Sequence, residues 1–188
     1  MSHVDIESLR ARVLADSETP EPVRQALQRG AALESIHLDA RGRWWHEGEA
    51  FVNEKLALLF SRSLYQTERG LWFLRIGGQS YPVTVAGAGT FADRIRIQGQ
   101  EVWLTLSTGE AVSAHGGEWL TDGEELLGVR LCDGREVRLI GAAHQAALSE
   151  VALHDDGWRI ALPGGEVTLG EWPALPRGVR MSVEEAQG

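Results

Sequence analysis

Arginine supplies almost all of the positive charge of this sequence, because Lys55 is its only lysine. A guanidinium binds a carboxylate or a phosphate through two parallel hydrogen bonds, so arginines suggest recognition of an anion. The alternative explanation is a genome rich in G and C, which gives the same excess of arginine without any function. In that case most of the arginines are solvated or paired with carboxylates. The candidate ligand-binding residues are Arg43, Trp45, His46, Arg62 and Arg130.

Histidines are the first residues to consider as metal ligands or bases. His37 and Asp39 share one strand face at positions i and i+2, and His46 lies across the predicted hairpin. Two imidazoles and a carboxylate could bind a hydrolytic metal, which is the basis of an enzyme hypothesis. An exposed polar hairpin face predicts the same three residues without a metal. We expect no catalytic residue, no metal and no cofactor.

The sequence does not show a serine or cysteine in a catalytic motif. Ser113 and His115 are close in sequence, but no Gly-x-Ser-x-Gly elbow is present, and a triad also needs a third group and an oxyanion hole. Cys132 is followed by Asp133, whose charge would raise the pKa of the thiol. The sequence therefore predicts that the protein is not an enzyme.

The tryptophans Trp44 and Trp45 are adjacent in a predicted strand. Successive strand residues point to opposite faces, so both rings cannot face the same core. We expect Trp44 to pack inside. Trp45 then lies on the other face, which could form the interface between the two halves, the wall of a ligand site or the surface for a partner. Alternatively, Trp45 only covers a neighbouring loop.

Composition excludes several classes of protein. The chain has 188 residues, a net charge of −9 and no run of lysine or arginine, so a surface that binds a nucleic-acid duplex is not expected. Its single cysteine excludes an internal disulfide. No apolar run approaches the roughly 20 residues that span a bilayer, and the N-terminus lacks the features of a signal peptide. We expect a cytoplasmic protein without membrane contact.

The predicted elements are organised around residues 36–85. The pattern predicts a hairpin turning at Ala40-Arg41-Gly42, a helix capped by Asn53, and a second hairpin turning at Gly77-Gly78. Two short helices are predicted before this region, at 6–16 and from Pro22 to Gly30.

A similar order of elements returns near the C-terminus and predicts a duplication. Gly70 and Gly157 are 87 positions apart, and so are the turns at Gly77 and Gly164. The same offset places the first helix, 56–64, on an alanine-rich stretch at 143–151.

The predicted fold class is α+β, with N-terminal helices followed by two related β-hairpin–helix–β-hairpin subdomains of mostly antiparallel sheet. The predicted ranges are 1–33 for the helices, 34–110 and 111–175 for the two subdomains, and 176–188 for a flexible tail.

Residues 36–64 resemble the bacterial domain-of-unknown-function family 1285. The residues that carry the resemblance are Ile36, Gly42, Trp44, Gly48, Leu56, Leu58, Leu59-Phe60-Ser61 and Leu64, with Val129-Arg130-Leu131, Gly134 and Leu139-Ile140 in the second half. The resemblance covers residues 34–170 in order and is densest in the first thirty. It departs from the family at Arg41, Ala50 and Asn53, where the family has aspartate, proline and arginine.

The resemblance implies two related β-rich subdomains, the C-terminal one loosely similar to a pleckstrin-homology fold. It also implies a ligand site between them and a role in signalling. Our leading hypothesis is a non-enzymatic binding module that senses a small anionic or nucleotide-like ligand at the interface of the two halves. The alternative is a protein-interaction or assembly module, with a protein partner or a homodimer on an exposed strand edge or the Trp45 face.

Overall fold

The computed structural model describes residues 6–123 and 126–172. These residues form an α+β fold of helices and mostly antiparallel sheets, which confirms the predicted fold class. They divide into two compact units, 6–87 and 88–172. The predicted ranges 34–110 and 111–175 follow the sequence repeat and stay a prediction. The predicted tail, 176–188, lies outside the described residues. Within the described ranges, no helix is long and apolar enough to cross a bilayer.

The secondary structure is as follows. The helices are α1 (Ile6–Ala15), α2 (Glu21–Gln28), α3 (Glu54–Ser63) and α4 (Gly141–Leu148). The strands of the first unit are β1 (Ile36–Leu38), β2 (Trp44–His46), β3 (Glu49–Ala50), β4 (Leu64–Gln66), β5 (Trp72–Ile76) and β6 (Gln79–Val85). The strands of the second unit are β7 (Thr90–Gln98), β8 (Glu101–Leu106), β9 (Ala111–Ser113), β10 (Glu118–Thr121), β11 (Leu127–Arg130), β12 (Glu136–Leu139), β13 (Val151–His154), β14 (Gly157–Leu162), β15 (Gly165–Thr168) and β16 (Gly170–Glu171).

The two N-terminal helices form where the sequence predicts them. Pro22 lies in the first turn of α2, where its missing N–H has no helical partner to lose, and Gly30 follows the helix with a φ of +89°. Both helices bury apolar residues in one cluster with strand β5 and the residue before it. The members of this cluster that are buried are Leu9, Val13, Leu27, Leu71 and Phe73.

The sheet of the first unit has six strands in the order β3-β2-β1-β6-β5-β4. All its pairs are antiparallel except β1 with β6. Asn53 caps α3 as predicted, because its side-chain oxygen accepts the backbone N–H groups of Lys55 at 3.0 Å and Leu56 at 3.2 Å.

Helices cover both faces of this sheet. Directly opposed residues share a face, and so do residues two apart on one strand. Phe73 is opposite Pro82, and Thr84, two residues further along β6, is opposite His37. His37 is in turn opposite Trp45, so Phe73 and Trp45 lie on the same side of the sheet. That side packs against α1 and α2. On the other side, Trp44 is 2% exposed, packs edge-on to Phe60 of α3 with ring centroids 5.4 Å apart, and donates its Nε1–H to Ser61 at 3.0 Å. The prediction that the two tryptophans face opposite ways is confirmed.

The second unit contains a seven-stranded sheet in the order β16-β10-β11-β12-β7-β8-β9 and a three-stranded sheet β13-β14-β15. One large apolar core joins both sheets to α4 through Ala143, Ala147 and Ile160. At the edge of the larger sheet, Trp172 is 9% exposed and packs against Gly128 of β11.

The repeated order of elements is present in the structure. Helix α4 begins 87 positions after α3, and strand β13 begins 87 positions after β4. A hairpin precedes each helix, β1–β2 before α3 and β11–β12 before α4. The predicted unit lacked strands β4 and β13, and their first residues, Leu64 and Val151, were assigned to the end of a helix; Leu64 instead pairs with Leu74.

Candidate functional site

Four residues of the β1–β2 hairpin lie together on one face, and we call them the hairpin face: His37, Asp39, Arg43 and Trp45. Strand pairing places His37 directly opposite Trp45. Asp39 and Arg43 flank the turn between the strands and are joined by a backbone hydrogen bond of 2.9 Å from Asp39 N to Arg43 O. The alternation of strand residues therefore brings an imidazole, an indole, a carboxylate and a guanidinium to one surface.

Asp39 organises this face. Its Oδ1 accepts the backbone N–H groups of Arg41 at 2.8 Å and Arg43 at 2.9 Å. Its Oδ2 accepts Nε–H of Arg43 at 3.0 Å and Nε1–H of Trp45 at 2.9 Å. Partial burial raises the pKa of Asp39, but the hydrogen bonds lower it by more, so the pKa lies below its usual value. The largest of these lowering effects comes from the Arg43 backbone, and the next from the side chain of Trp45. Asp39 is therefore ionised at neutral pH, and all four of its hydrogen bonds stabilise the charged form.

Arg43 lies over Trp45 and presents the rest of its guanidinium to solvent. Its Cζ is 5.2 Å from the centroid of the Trp45 ring, and its side chain is 55% exposed. Asp39 binds Nε of this guanidinium, and neither Nη group has a hydrogen-bond partner among the described residues. An arginine held in this way offers two parallel donors to an incoming anion.

Trp45 also contacts His37, whose ring lies almost parallel to the indole at 7° with the centroids 5.8 Å apart. Burial lowers the pKa of His37, and the nearby charge of Asp39 only partly offsets this effect, so the imidazole is neutral at pH 7. On the next strand, Thr84 pairs with His37, and its buried Oγ1 has no hydrogen-bond partner within the part of the chain that the structure describes. The hairpin face is thus bordered on β6 by a neutral, buried hydroxyl group.

His46 does not belong to the hairpin face. It lies opposite Ile36, on the side of the sheet that carries Trp44. Its Nε2 is 3.0 Å from Oε2 of Glu34, and its ring lies 6.5 Å from that of Phe51. The hypothesis of a metal bound by His37, Asp39 and His46 is therefore wrong, because His46 is on the opposite face from His37.

One group of possible metal ligands does include His46. Among the described residues, ligand atoms of Glu34, His46 and Glu47 lie within 4.8 Å of one another. Both glutamates are exposed, and the His46–Glu34 contact already forms an ion pair when the histidine is protonated. We therefore interpret the group as a surface ion pair at the open end of the hairpin and not as a metal site.

The remaining predicted residues lie elsewhere. Arg62 is in the last turn of α3, where its positive charge interacts favourably with the negative end of the helix dipole. Arg130 is on β11 of the second unit and is bound by two carboxylates, Glu118 at 2.5 Å and Glu136 at 2.9 Å. A ligand anion would have to displace these carboxylates to reach Arg130. Of the five predicted residues, the structure brings Arg43 and Trp45 into contact.

The sequence interpretation did not recognise the role of Asp39 or the presence of Thr84. A signal for Asp39 was available, because an aspartate followed by Ala40-Arg41-Gly42 is typical of a turn in which the side chain binds backbone N–H groups further along the chain. No local signal exists for Thr84, which reaches the site through the parallel pairing of β1 with β6.

No family model and no curated protein matches this sequence. Among solved structures, a DUF1285 family protein from Silicibacter pomeroyi DSS-3 is similar with a TM-score of 0.56 at 18% identity, over 86% of this chain and 93% of that chain. A DUF1285 family protein from Shewanella baltica OS155 is similar with a TM-score of 0.46 at 20% identity, over 62% of this chain and 91% of that chain. The first likeness confirms, at the level of the fold, the resemblance seen in the sequence. The chain has the fold of a DUF1285 family protein.

Proposed function

We propose that the protein is a non-enzymatic binding module that recognises a small anionic ligand through the hairpin face. The observation that supports this proposal is the geometry of Arg43, whose guanidinium is fixed by Asp39, lies on Trp45 and leaves both Nη groups without a partner among the described residues. The ligand class is a small molecule that carries a carboxylate or a phosphate, and nucleotides are the best candidates within it.

The preference for nucleotides comes from Trp45. The N–H of Trp45 is already bound to Asp39, so a ligand would contact the part of the indole ring that Arg43 and His37 leave uncovered. A flat heteroaromatic ring carrying a phosphate would use this surface and the Nη groups of Arg43 together. The neutral imidazole of His37 adds a polar group that can either donate or accept a hydrogen bond.

The same contacts support binding rather than catalysis. The four hydrogen bonds of Asp39 occupy both of its oxygens, so the carboxylate is an organiser of the turn rather than a base. The hairpin face contains no serine, threonine or cysteine of its own to act as a nucleophile.

The test is a thermal-shift panel of nucleotides, second messengers and acidic metabolites, followed by calorimetric titration of each compound that raises the melting temperature. A ligand that binds only the folded state stabilises it by RT ln(1 + L/Kd), where L is the free ligand concentration, so the melting temperature should keep rising with ligand concentration above Kd. Arg43→Ala should abolish the shift, and Arg43→Lys should weaken binding by roughly tenfold because lysine cannot make the paired contact.

Arg41→Ala is the matched control. Arg41 is exposed on the same turn and loses the same charge, but its side chain does not lie on Trp45. Binding that survives Arg41→Ala and is lost in Arg43→Ala supports the proposal. A flat panel with folded wild-type protein, or equal effects of the two substitutions, contradicts it.

A further inference from the structure

A second surface with an arginine and a tryptophan lies on the outward side of the β7–β8–β9 part of the seven-stranded sheet. Strand pairing places Arg96, Trp103 and Ser113 in one row, and Arg94 and Thr105 in the next. Directly opposed residues share a face, so these side chains project together. We call these five residues the outer β7–β9 face.

The opposite side of the same strands is the core. Val102, Leu104 and Leu106 of β8 alternate with Trp103 and Thr105, and they are at most 6% exposed. Their burial fixes which way the strand faces, since a shift of one residue would bury Trp103 and expose Leu104. The outer β7–β9 face is therefore a consequence of the apolar pattern of β8.

The two arginines of this face have no carboxylate partner among residues 6–123 and 126–172. Arg94 and Arg96 are exposed, and the side chains of both lack an ion pair or a hydrogen bond among the described residues. Other arginines of the same unit are paired: Arg130 binds two carboxylates, and Arg135 binds Glu110 at 2.9 Å and Asp133 at 2.8 Å. Two unpaired guanidinium groups two residues apart on one strand form a local positive patch on a chain of net charge −9.

Trp103 lies beside this patch, directly opposite Arg96. Its Nε1–H donates to Oε2 of Glu101 at 3.1 Å, which fixes the ring and occupies its only hydrogen-bond donor. Glu101 lies two residues before Trp103 on β8 and so shares its side of the strand, where one carboxylate accompanies the two guanidinium groups. The partly exposed indole can then contact a ligand through its ring surface.

We propose that the outer β7–β9 face binds single-stranded nucleic acid without sequence preference. Arg94 and Arg96 contact successive phosphates, and Trp103 stacks on an unpaired base, which is how single strands are held on sheet surfaces. A duplex keeps its bases stacked inside and would use the two arginines alone, which is too small a footprint for duplex binding. An acidic peptide would likewise use the arginines and leave the indole surface unused. The site is separate from the hairpin face and does not depend on it.

The test is fluorescence anisotropy of labelled oligothymidylate of 12 nucleotides with the full-length protein, at salt concentrations from 50 to 200 mM. Two phosphate contacts predict a slope of about −1.4 for the logarithm of the association constant against the logarithm of salt concentration. Arg94→Ala with Arg96→Ala should lower affinity at least roughly tenfold and bring the slope close to zero. Trp103→Leu should weaken binding by about tenfold and leave the slope unchanged.

The control protein carries Arg12→Ala and Arg69→Ala. These two arginines are exposed in the first unit, and the pair removes the same net charge. Unchanged binding in this control, with loss in the Arg94/Arg96 variant, supports the proposal. Absence of binding to both oligothymidylate and oligouridylate at 50 mM salt overturns it. Equal losses in the two double variants also overturn it, and so does binding of polyglutamate or a matched duplex as tightly as the single strand.

Discussion

Asp39 accepts the indole N–H of Trp45 at 2.9 Å, and the same carboxylate oxygen accepts Nε–H of Arg43 at 3.0 Å. One oxygen thus sets the orientation of both side chains that the hairpin face presents. The other oxygen closes the turn by binding two backbone N–H groups. The stability of the hairpin and the geometry of the proposed binding site depend on the same side chain.

Replacing Asp39 with asparagine should lower the free energy of unfolding by about 1–2 kcal/mol at pH 7, because several hydrogen bonds to a charged acceptor are weakened in a partly exposed site. The folded pKa of Asp39 lies below the ordinary value of 3.8, so its ionised form stabilises the fold. This contribution is complete above pH 3.8 and is lost as the pH falls through the lowered folded pKa. Urea denaturation of the wild type and the variant across this range measures it.

The difference between the two proteins should stay constant from pH 7 to pH 5 and shrink below pH 3.8. Asp93→Asn is the control, since Asp93 is exposed at the bulge of β7 and its replacement should change the free energy of unfolding by less than about 0.5 kcal/mol. A difference for Asp39→Asn that does not change with pH would contradict the assigned role of its charge.

The two adjacent tryptophans should differ in their effect on stability. Trp44→Ala removes a side chain that is 2% exposed and its contact with α3, and it should cost about 3–5 kcal/mol. Trp45→Ala removes a partly exposed ring and one hydrogen bond and should cost less than about 2 kcal/mol. Chemical denaturation gives both values. Equal costs would show that Trp45 is as much a core residue as Trp44.

A buried polar contact joins the end of α1 to the turn between β4 and β5. Asp16 is 3% exposed and accepts the hydroxyl of Thr67, which is 8% exposed, at 3.1 Å; its other oxygen accepts the backbone N–H of Glu18 at 2.9 Å. Asp16→Ala and Thr67→Ala should each cost about 1–3 kcal/mol. In a double-mutant cycle the pair should show a coupling of at least about 0.5 kcal/mol, whereas Asp16 with the distant exposed Glu7 should be additive.

Gly128 should tolerate no side chain. A Cβ at this buried position would overlap the ring of Trp172 and lie 2.5 Å from the carbonyl oxygen of Val137. Gly128→Ala should therefore lower the free energy of unfolding by roughly 3 kcal/mol or more. Gly164→Ala is the matched control, because its Cβ would meet no atom within 4 Å, and it should be neutral within about 0.5 kcal/mol. Similar melting temperatures for the two variants would contradict the close approach of Trp172 to β11.

Local signals predict the four helices, most of the hairpins and their repeated order. The cap at Asn53, the turn at Gly42 and the proline in α2 act within a few residues, so the sequence contains the whole of each signal. Strands β4 and β13 were missed because their apolar residues continue the spacing of the preceding helix. Their strand conformation follows from pairing with β5 and β14, which is a property of the folded unit.

The site was predictable only where it depends on strand alternation. The opposite orientation of Trp44 and Trp45 follows directly from adjacency in one strand. The prediction that His46 and Trp45 belong to one site is wrong, because adjacent residues of a strand point to opposite faces of the sheet. The partners of Arg130, Glu118 and Glu136, come from the two strands on either side of β11, and this long-range register cannot be read from the sequence of β11 alone.

The position of β16 at the edge of the seven-stranded sheet has a consequence for synthesis of the protein. Every strand of the six-stranded sheet lies within residues 36–85, so the first unit has all its pairing partners once that segment has left the ribosome. The larger sheet receives its edge strand and the indole that covers Gly128 only with residues 170–172. The first unit can therefore pair all its strands during translation as soon as residue 85 is available, while the second needs residues 170–172 to complete its larger sheet.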